Sequence, residues 1–242
     1  MNKRLKYWLK RVSPVALSRN HRYDRLVSRI LKEYCTKTSN CVDIGSHEGE
    51  FLDLFIRISP EGTHFAFEPL PGLFKQLITR FRKYPNCHIY NYALSNENGT
   101  TPFNHVISNP AYSGIKKRKY DRENERDEMI TVTKKKLDDV IPVNTRIDIL
   151  KIDVEGGEYD VLAGSKNILA NFHPLLIFEF GTGGSDVYGV TPEKMFDLLN
   201  ETGYHISLPG SFLVKKTSLT KEVFCQQVNE KINYYFIAHS KK

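Results

Sequence analysis

The chain has 242 residues, of which 40% are hydrophobic and 12% aromatic, enough to bury one core with at most a small appendage and too apolar for a disordered polymer. No run of about 18 apolar residues occurs, which excludes a spanning helix, and no long apolar N-terminal stretch suggests a secretion signal. The formal charge of +7 is uneven: residues 1–40 are rich in Lys and Arg with Asp24 and Glu33 as their acids, whereas the rest is slightly acidic, which disfavours a nucleic-acid partner wrapped over the whole surface.

Within the basic arm, Leu5, Trp8, Leu9 and Val12 recur at helical spacing, with Lys3, Arg4, Lys6, Lys10 and Arg11 between them. The pattern predicts a short amphipathic helix. Residues 1–13 read either as a foot on an anionic membrane surface, at its cytoplasmic face, or on an anionic partner, or as a helix packed by its apolar stripe. After Pro14, Tyr23, Leu26, Val27, Ile30, Leu31 and Tyr34 predict a second helix packed on the main domain. Residues 1–39 are thus a helical extension and 40–242 the domain. Cys35, Cys41, Cys87 and Cys225 are scattered without metal-ligand spacing, so a reducing cytoplasm is the expected compartment.

The stretch Cys41 to Phe51 reads as a strand, a glycine turn and a helix. Asp43 precedes a turn containing Gly45, Ser46 and Gly49. A phosphate-cradling loop needs Lys-Ser/Thr after its last glycine, and here Glu50-Phe51 follows; a dinucleotide fingerprint needs glycine where His47 stands. Glu48 and Glu50 would repel a pyrophosphate. A cationic ligand with a nucleoside part fits better, and S-adenosylmethionine is one; a purely structural turn is the alternative.

Thr63 to Phe67 is the second strand, ending in Glu68-Pro69-Leu70-Pro71. Glu68 lies about 20 residues beyond Gly49, where open α/β sheets place the acid that binds a ribose; the competing role is to cap the next helix. His88 to Ala93 is the third strand, and its end, Asn91 to Ser95, is expected to flank an adenine. Between Gly99 and Val140 the alternation breaks. Two β-like pieces, Phe103 to Ile107 and Met129 to Thr133, bracket the charged run Lys116 to Glu128, which reads as a solvated loop or as a lid that recognises substrate.

Ile147 to Val154 is the fourth strand, followed by Glu155-Gly156-Gly157-Glu158 and a helix using Val161, Leu162, Ile168 and Leu169. Pro174 to Phe180 is the fifth, ending in Glu179 and the loop Gly181 to Gly184. Thr191-Pro192-Glu193 starts a helix that Gly203 stops. Tyr204 to Leu208 and Tyr234 to His239 supply the last strands, with Pro209-Gly210 as a turn. The alternation predicts an α/β fold, a parallel sheet with helices on both faces. Strand ends on one sheet edge converge, so Asp43, Glu68, Asp153 and Glu179 should line one crevice.

Taken together, Val42-Asp43-Ile44-Gly45 with Gly49, Phe67-Glu68-Pro69, Asn91-Tyr92-Ala93-Leu94-Ser95 with Gly99, Leu137-Asp138-Asp139, and Leu150-Lys151-Ile152-Asp153-Val154-Glu155-Gly156-Gly157-Glu158 resemble the FkbM-type S-adenosylmethionine-dependent methyltransferases over roughly residues 40 to 205. The resemblance implies a Rossmann-like class I methyltransferase fold, a seven-stranded sheet with an antiparallel last strand, and methyl transfer to oxygen, commonly on a sugar or a polyketide-type hydroxyl. It implies that Asp43, Gly45, Ser46 and Gly49 hold the methionine part of the cofactor, Glu68 with Pro69 the ribose, and Asn91 and Ala93 the adenine. Asp153, also expected among the cofactor-binding residues, and Glu155 then stand at the methyl-transfer end.

Methyl transfer to a hydroxyl needs alignment, exclusion of water and a base, for which Asp153, Glu155, Glu179 or His47 are candidates, Asp153 first. Asp153, Glu155, Glu158 or Glu179 could instead hold a divalent cation, although their spacing is not diagnostic and no metal site is assigned. Two other functions stay open. The basic arm and Asn109-Pro110-Ala111-Tyr112 point weakly to a nucleic-acid methyltransferase, and a non-catalytic module that keeps the nucleotide fold is the other.

Overall fold

The structure, a computed structural model, describes residues 19–120 and 124–240. The predicted amphipathic helix over residues 1–13 lies outside that range. The first described element is α1 (Arg19–Tyr34), whose buried stripe includes Tyr23, Val27, Ile30 and Leu31. It is followed by β1 (Cys41–Ile44), α2 (Glu50–Ile58), β2 (His64–Phe67), α3 (Pro71–Phe81) and β3 (Cys87–Tyr90). Next come the short β4 (Ala93–Leu94), β5 (Gly99–Val106) and β6 (Asp127–Lys135). The second half contains β7 (Ile149–Ile152), α4 (Glu158–Ala163), α5 (Lys166–Phe172), β8 (Leu175–Glu179), α6 (Pro192–Glu201) and β9 (Tyr204–Ser207). It closes with α7 (Pro209–Leu213), α8 (Lys221–Asn229) and β10 (Tyr235–Ser240).

Seven strands form the central sheet in the order β3-β2-β1-β7-β8-β10-β9. The pairs from β3 to β8 are parallel, and β10 runs antiparallel between β8 and β9. The order reverses between β1 and β7, so their ends leave a crevice where an open α/β sheet binds ligands. The predicted class, including the one antiparallel strand that is last in the chain, is the observed one.

Strand parity decides which chemistry faces where. Side chains alternate across a sheet. Val42, Ile44, Leu150, Ile152, Leu176 and Phe178 join one core cluster, packed with residues of α4, α5, α6 and α8. Cys41, Ile149, Leu175, Ile177, Tyr235 and Ile237 join another, beneath α1 and α2. Asp43, Lys151 and Glu179 continue the second set, so they emerge on the α1–α2 face at the C-terminal ends of their strands. Each large buried side chain of this kind contributes roughly 1.5–3 kcal/mol, and the two clusters together fix the register that aligns Asp43 with Lys151.

Several local expectations need correction. The third predicted strand is two: Tyr90 ends β3, and Ala93 starts β4, which leaves the main sheet to pair with β6. The β-like pieces are longer than predicted and form an antiparallel hairpin, with Phe103 opposite Ile130. The single helix expected after Glu158 is broken at Gly164 and Ser165, where the Asp138 carboxylate accepts from Asn167 N at 2.8 Å and Ile168 N at 3.1 Å, capping α5 from a distance. Pro209-Gly210 opens the short helix α7 instead of forming a plain turn. Helix α8, which the sequence reading omits, starts at Thr220, whose side chain accepts from Val223 N.

Candidate active site

Beyond the ends of β1, β2, β7 and β8 lies a cavity of about 330 Å³, at the small end of the range for small-molecule sites. Gly45, Ser46, His47, Glu68 and Pro69 line one side, Asp153, Glu155 and Glu179 another, and Asn20, Tyr23 and Asp24 of α1 close it from above. Among the described residues that line it, every charged side chain is acidic except Lys151, with His47 also ionisable.

The turn after β1 is held by two bonds to one carbonyl, Gly45 N and Ser46 N each donating to Phe67 O at 3.1 and 3.0 Å. Gly45 has φ +74, and a Cβ there would meet the Asp153 carbonyl oxygen at 1.8 Å. Only glycine lets the two strand ends approach that closely. Gly49 does something else. Its absent Cβ would collide with Leu77 and Phe81 of α3 at 2.7 Å, and it does not line the cavity. Its place is at the N-terminus of α2, packed against α3.

Asp43 is likewise not on the cavity surface. It lies beneath it, 1% exposed, with Lys151 Nζ 3.3 Å from Oδ1. The same ammonium is 3.6 Å from Asp153 and donates to Gly45 O at 3.0 Å. Burial opposes the charge on Lys151, but Asp43 and Asp153 outweigh it and hold the ammonium above its usual range. Burial pushes Asp43 up, and Lys151 opposes that. Lys151 is the central residue that sequence reasoning missed. A charged residue in an otherwise apolar strand, Ile149-Leu150-Lys151-Ile152, was the available signal.

Glu68 is 4% exposed and already accepts two backbone bonds, from His47 N at 2.8 Å and Leu70 N at 2.9 Å. Burial pushes its carboxyl up to about 7. A carboxylate has about four acceptor positions, so two remain for a ligand diol. Asn91 is not part of the wall: its amide donates to the carbonyls of Glu68 and Pro69 at 2.8 and 2.9 Å and fixes the turn from behind. Tyr92, Ala93, Leu94 and Phe103 form the apolar slot beside it. Phe103 comes from β5, far from any motif.

At the other end, the side chain of Asp153 is 30% exposed, more open than the Glu155 side chain at 15%. Glu155, in the left-handed region at φ 57, pairs with Arg118. Burial, reinforced by Asp153 and opposed by Arg118, pushes Glu155 up to about 8. Burial, with Asp153 and Glu155, raises Glu179 well above the ordinary carboxyl range. Glu158 turns away from the cavity; its Oε1 accepts from Val154 N and Gly156 N at 3.0 and 3.1 Å, stapling the loop. Among the described residues no group of three or more His, Cys, Asp or Glu is arranged to hold a metal ion. The charged run is not simply solvated: Lys116 N donates to Tyr188 Oη at 3.1 Å, and Arg118 reaches inward to Glu155. The tetrapeptide Asn109 to Tyr112 is a 3-10 turn whose Pro110 and Ala111 line the cavity.

A parallel sheet with one antiparallel strand, a glycine turn at the switch point and an acidic crevice make up the site of a Rossmann-like methyltransferase. The sequence profile described as "Methyltransferase FkbM domain" matches residues 43–206. The chain belongs to that family, whose methyl donor is S-adenosylmethionine.

A solved structure shares the fold. Methyltransferase FkbM from Methylobacillus flagellatus KT superposes with a TM-score of 0.52 at 15% identity, over 85% of this chain and 44% of that one. The chain therefore spans less than half of that protein's length. The fibrillarin/Nop5p complex gives a TM-score of 0.47 at 14% identity over 90% and 81% of the two chains. StiE O-MT residues 961–1257 give 0.44 at 12% identity over 93% and 78%. No curated protein sequence matches this one. No described helix is long and apolar enough to cross a membrane.

Proposed function

We propose that the protein transfers a methyl group from S-adenosylmethionine to a hydroxyl of a sugar or glycan-type acceptor, in the cytoplasm. The observation that supports this most is the convergence of Asp153, Glu155 and Glu179 on one rim, beyond a turn that holds Gly45 against Asp153. The residues fit a cationic nucleoside: an acidic wall, a buried carboxyl at Glu68 for ribose hydroxyls, and an apolar slot at Ala93 and Phe103 for a flat base. When bound, the cofactor supplies a methyl group on a positively charged sulfur.

The chain's own groups do the rest. Ser46 and the backbone of the Gly45 turn seat the amino-acid end, and Asp153 faces its ammonium. Asp43 acts from below, by fixing Lys151 and through it Asp153. The Glu155 carboxylate would take the proton of an acceptor hydroxyl placed beside it as that oxygen accepted the methyl group from the sulfur. A carboxyl raised toward neutrality is a stronger base than an ordinary one, and neighbouring acids keep it so. Glu179 stabilises the positive charge beside it, and the aromatic wall of Tyr188, Tyr234 and Tyr235 excludes water.

The test is calorimetric binding of S-adenosylmethionine, then radiolabel transfer to candidate sugars. Glu155→Gln should lower transfer by about 10²–10⁴-fold while leaving cofactor affinity nearly unchanged. An intact protein that binds no S-adenosylmethionine ends the proposal. The foot reading of residues 1–13 is tested apart from this, by vesicle flotation with and without those residues.

A further inference from the structure

The segment from Asn109 to Tyr120 runs from the β5–β6 hairpin across the acceptor side of the cavity as a strap. Pro110, Ala111, Ser113 and Ile115 face the cavity. The strap is anchored at both ends: Asn104 and Gly114 exchange backbone bonds at 2.8 and 3.2 Å, and Tyr120 Oη accepts from Asn104 Nδ2 at 2.6 Å while donating to Asp127 at 3.0 Å. Tyr112 and Tyr120 stack with their planes 5° apart.

Among the described charged side chains of the strap, Arg118 reaches a wall residue of the cavity, Glu155. Its guanidinium lies 4.6 Å from the Tyr112 ring centre, its Nη1 donates to Glu155 Oε2, and its Nε is buried with no hydrogen-bond partner among the described residues. The ring fixes the plane of the fork without satisfying its donors. A buried N–H left unmade is costly, and a planar fork of five donors matches a carboxylate or phosphate bound through two oxygens. Lys116 and Lys119 are exposed beside it on the same run. Arg118 thus lies behind the wall residue Glu155, at the edge of an acidic cavity, within a run that is otherwise basic.

There is also a conflict to resolve. Arg118 holds Glu155 Oε2 and opposes the rise of its carboxyl, so the pair weakens Glu155 as a base for a hydroxyl proton. Breaking a buried pair without replacement leaves an uncompensated guanidinium. An incoming anion removes the conflict, because it keeps the guanidinium paired while freeing Glu155 for the hydroxyl.

We propose that Arg118 is the anion-recognition residue of the acceptor site: the acceptor carries a carboxylate or a phosphate near its reactive hydroxyl, and that group takes the place of Glu155 on the guanidinium. This deepens the glycan O-methyltransferase reading and rests on it. Uronic acids and sugar phosphates share the required chemistry, and the probes distinguish them.

The experiment measures binding of D-glucuronate, D-glucose 6-phosphate and D-glucose by saturation-transfer NMR. The intact protein is used alone and loaded with S-adenosylhomocysteine. At least one anionic sugar should bind about tenfold tighter than glucose, as a charge-assisted paired hydrogen bond allows. Preference for glucuronate assigns a carboxylate, and preference for the phosphate ester assigns a phosphate. Arg118→Gln should abolish the preference, Arg118→Lys should keep part of it, and Lys119→Gln should leave it intact. Equal binding of the three sugars, or a preference that survives Arg118→Gln in protein with an unchanged melting curve, overturns the proposal. Failure to bind S-adenosylhomocysteine counts against the methyltransferase reading instead, since the anion preference is also read on the unloaded protein.

Discussion

The floor of the cavity and the strap above it are built on different principles. The floor is made where parallel strands end: Asp43, Lys151 and Asp153 sit on β1, on β7 and just past its end, and neighbouring strands hold them in register. The strap is held by a hairpin whose strands are a long insertion apart and by a few side-chain contacts, Tyr120 to Asn104 and Arg118 to Glu155. Floor chemistry is thus fixed by the fold itself, whereas strap chemistry depends on a local anchor. The cofactor end of the site should tolerate change in the strap, and the reverse should not hold.

The harshest way to break that comparison is Lys151→Met. Asp43 would then be buried beside no cation, and removal of one partner of a buried pair costs about 3–5 kcal/mol. Urea denaturation should show a loss of that size, with much of it recovered when Asp43→Asn is added. A loss under about 1 kcal/mol would mean that the pair is not what holds the strand ends together.

Paired glycine substitutions sharpen the same point. Gly45→Ala forces a Cβ onto the backbone of Asp153 at positive φ, a strain of about 1–3 kcal/mol, and S-adenosylhomocysteine affinity should fall at least tenfold in calorimetry. Gly49→Ala also has positive φ, but its Cβ meets the ends of the Leu77 and Phe81 side chains. It should lower the melting temperature and leave affinity within about threefold, since the strain is of the same order and lies outside the cavity. Equal loss of affinity in both variants would make the turn a single unit.

Much of this floor was legible in the sequence. A strand-ending acid, glycines at 45 and 49 and the run Lys151 to Glu158 are contiguous signals, and parity plus strand order follow from alternation. What could not be read was which side of a surface each residue occupies: Asp43 and Gly49 belong to the motif yet stand behind the wall, and Asn91 spends its amide on Glu68 and Pro69. Nor could the partners of Glu155. Arg118 lies in a run of mixed charge with no periodicity, and its inward turn depends on Tyr112 and on the hairpin register, which are long-range facts.

A pH series probes the floor with a smaller effect. Burial raises Glu68 and Glu158 to about 7 and Glu155 to about 8, against 4.5 for the ordinary side chain. Each folded-state carboxyl holds its proton more tightly than the unfolded one. The stability this confers is complete below about pH 4.5 and is lost as pH rises through 7 to 8. The melting temperature of the free protein should therefore fall across that window, less steeply in Glu158→Gln, whose amide oxygen can still accept from Val154 and Gly156. Proton transfer to Glu155 runs the other way, with turnover rising toward pH 8. A melting temperature that climbs with pH over the same range would show these acids to be ionised in the fold.

The smallest change tests the strap's independence. Tyr120→Phe deletes the hydroxyl that joins Asn104 to Asp127, leaving the 1% exposed Asn104 with a buried amide short of one acceptor. The expected cost is roughly 1–2 kcal/mol, visible as a modest drop in urea midpoint. The ring remains, so the stack on Tyr112 and the seat of Arg118 loosen without disappearing. Affinity for S-adenosylhomocysteine should stay within about twofold, because Tyr120 is held by Asn104, Asp127 and Tyr112, whereas the Gly45 turn rests on Phe67 and Asp153. Discrimination between glucuronate and glucose should weaken in the same variant, since Arg118 depends on that ring pair for its orientation. If product affinity falls in step with stability, strap and floor open together, and the division between a fold-fixed cofactor end and an anchored acceptor end does not describe this protein.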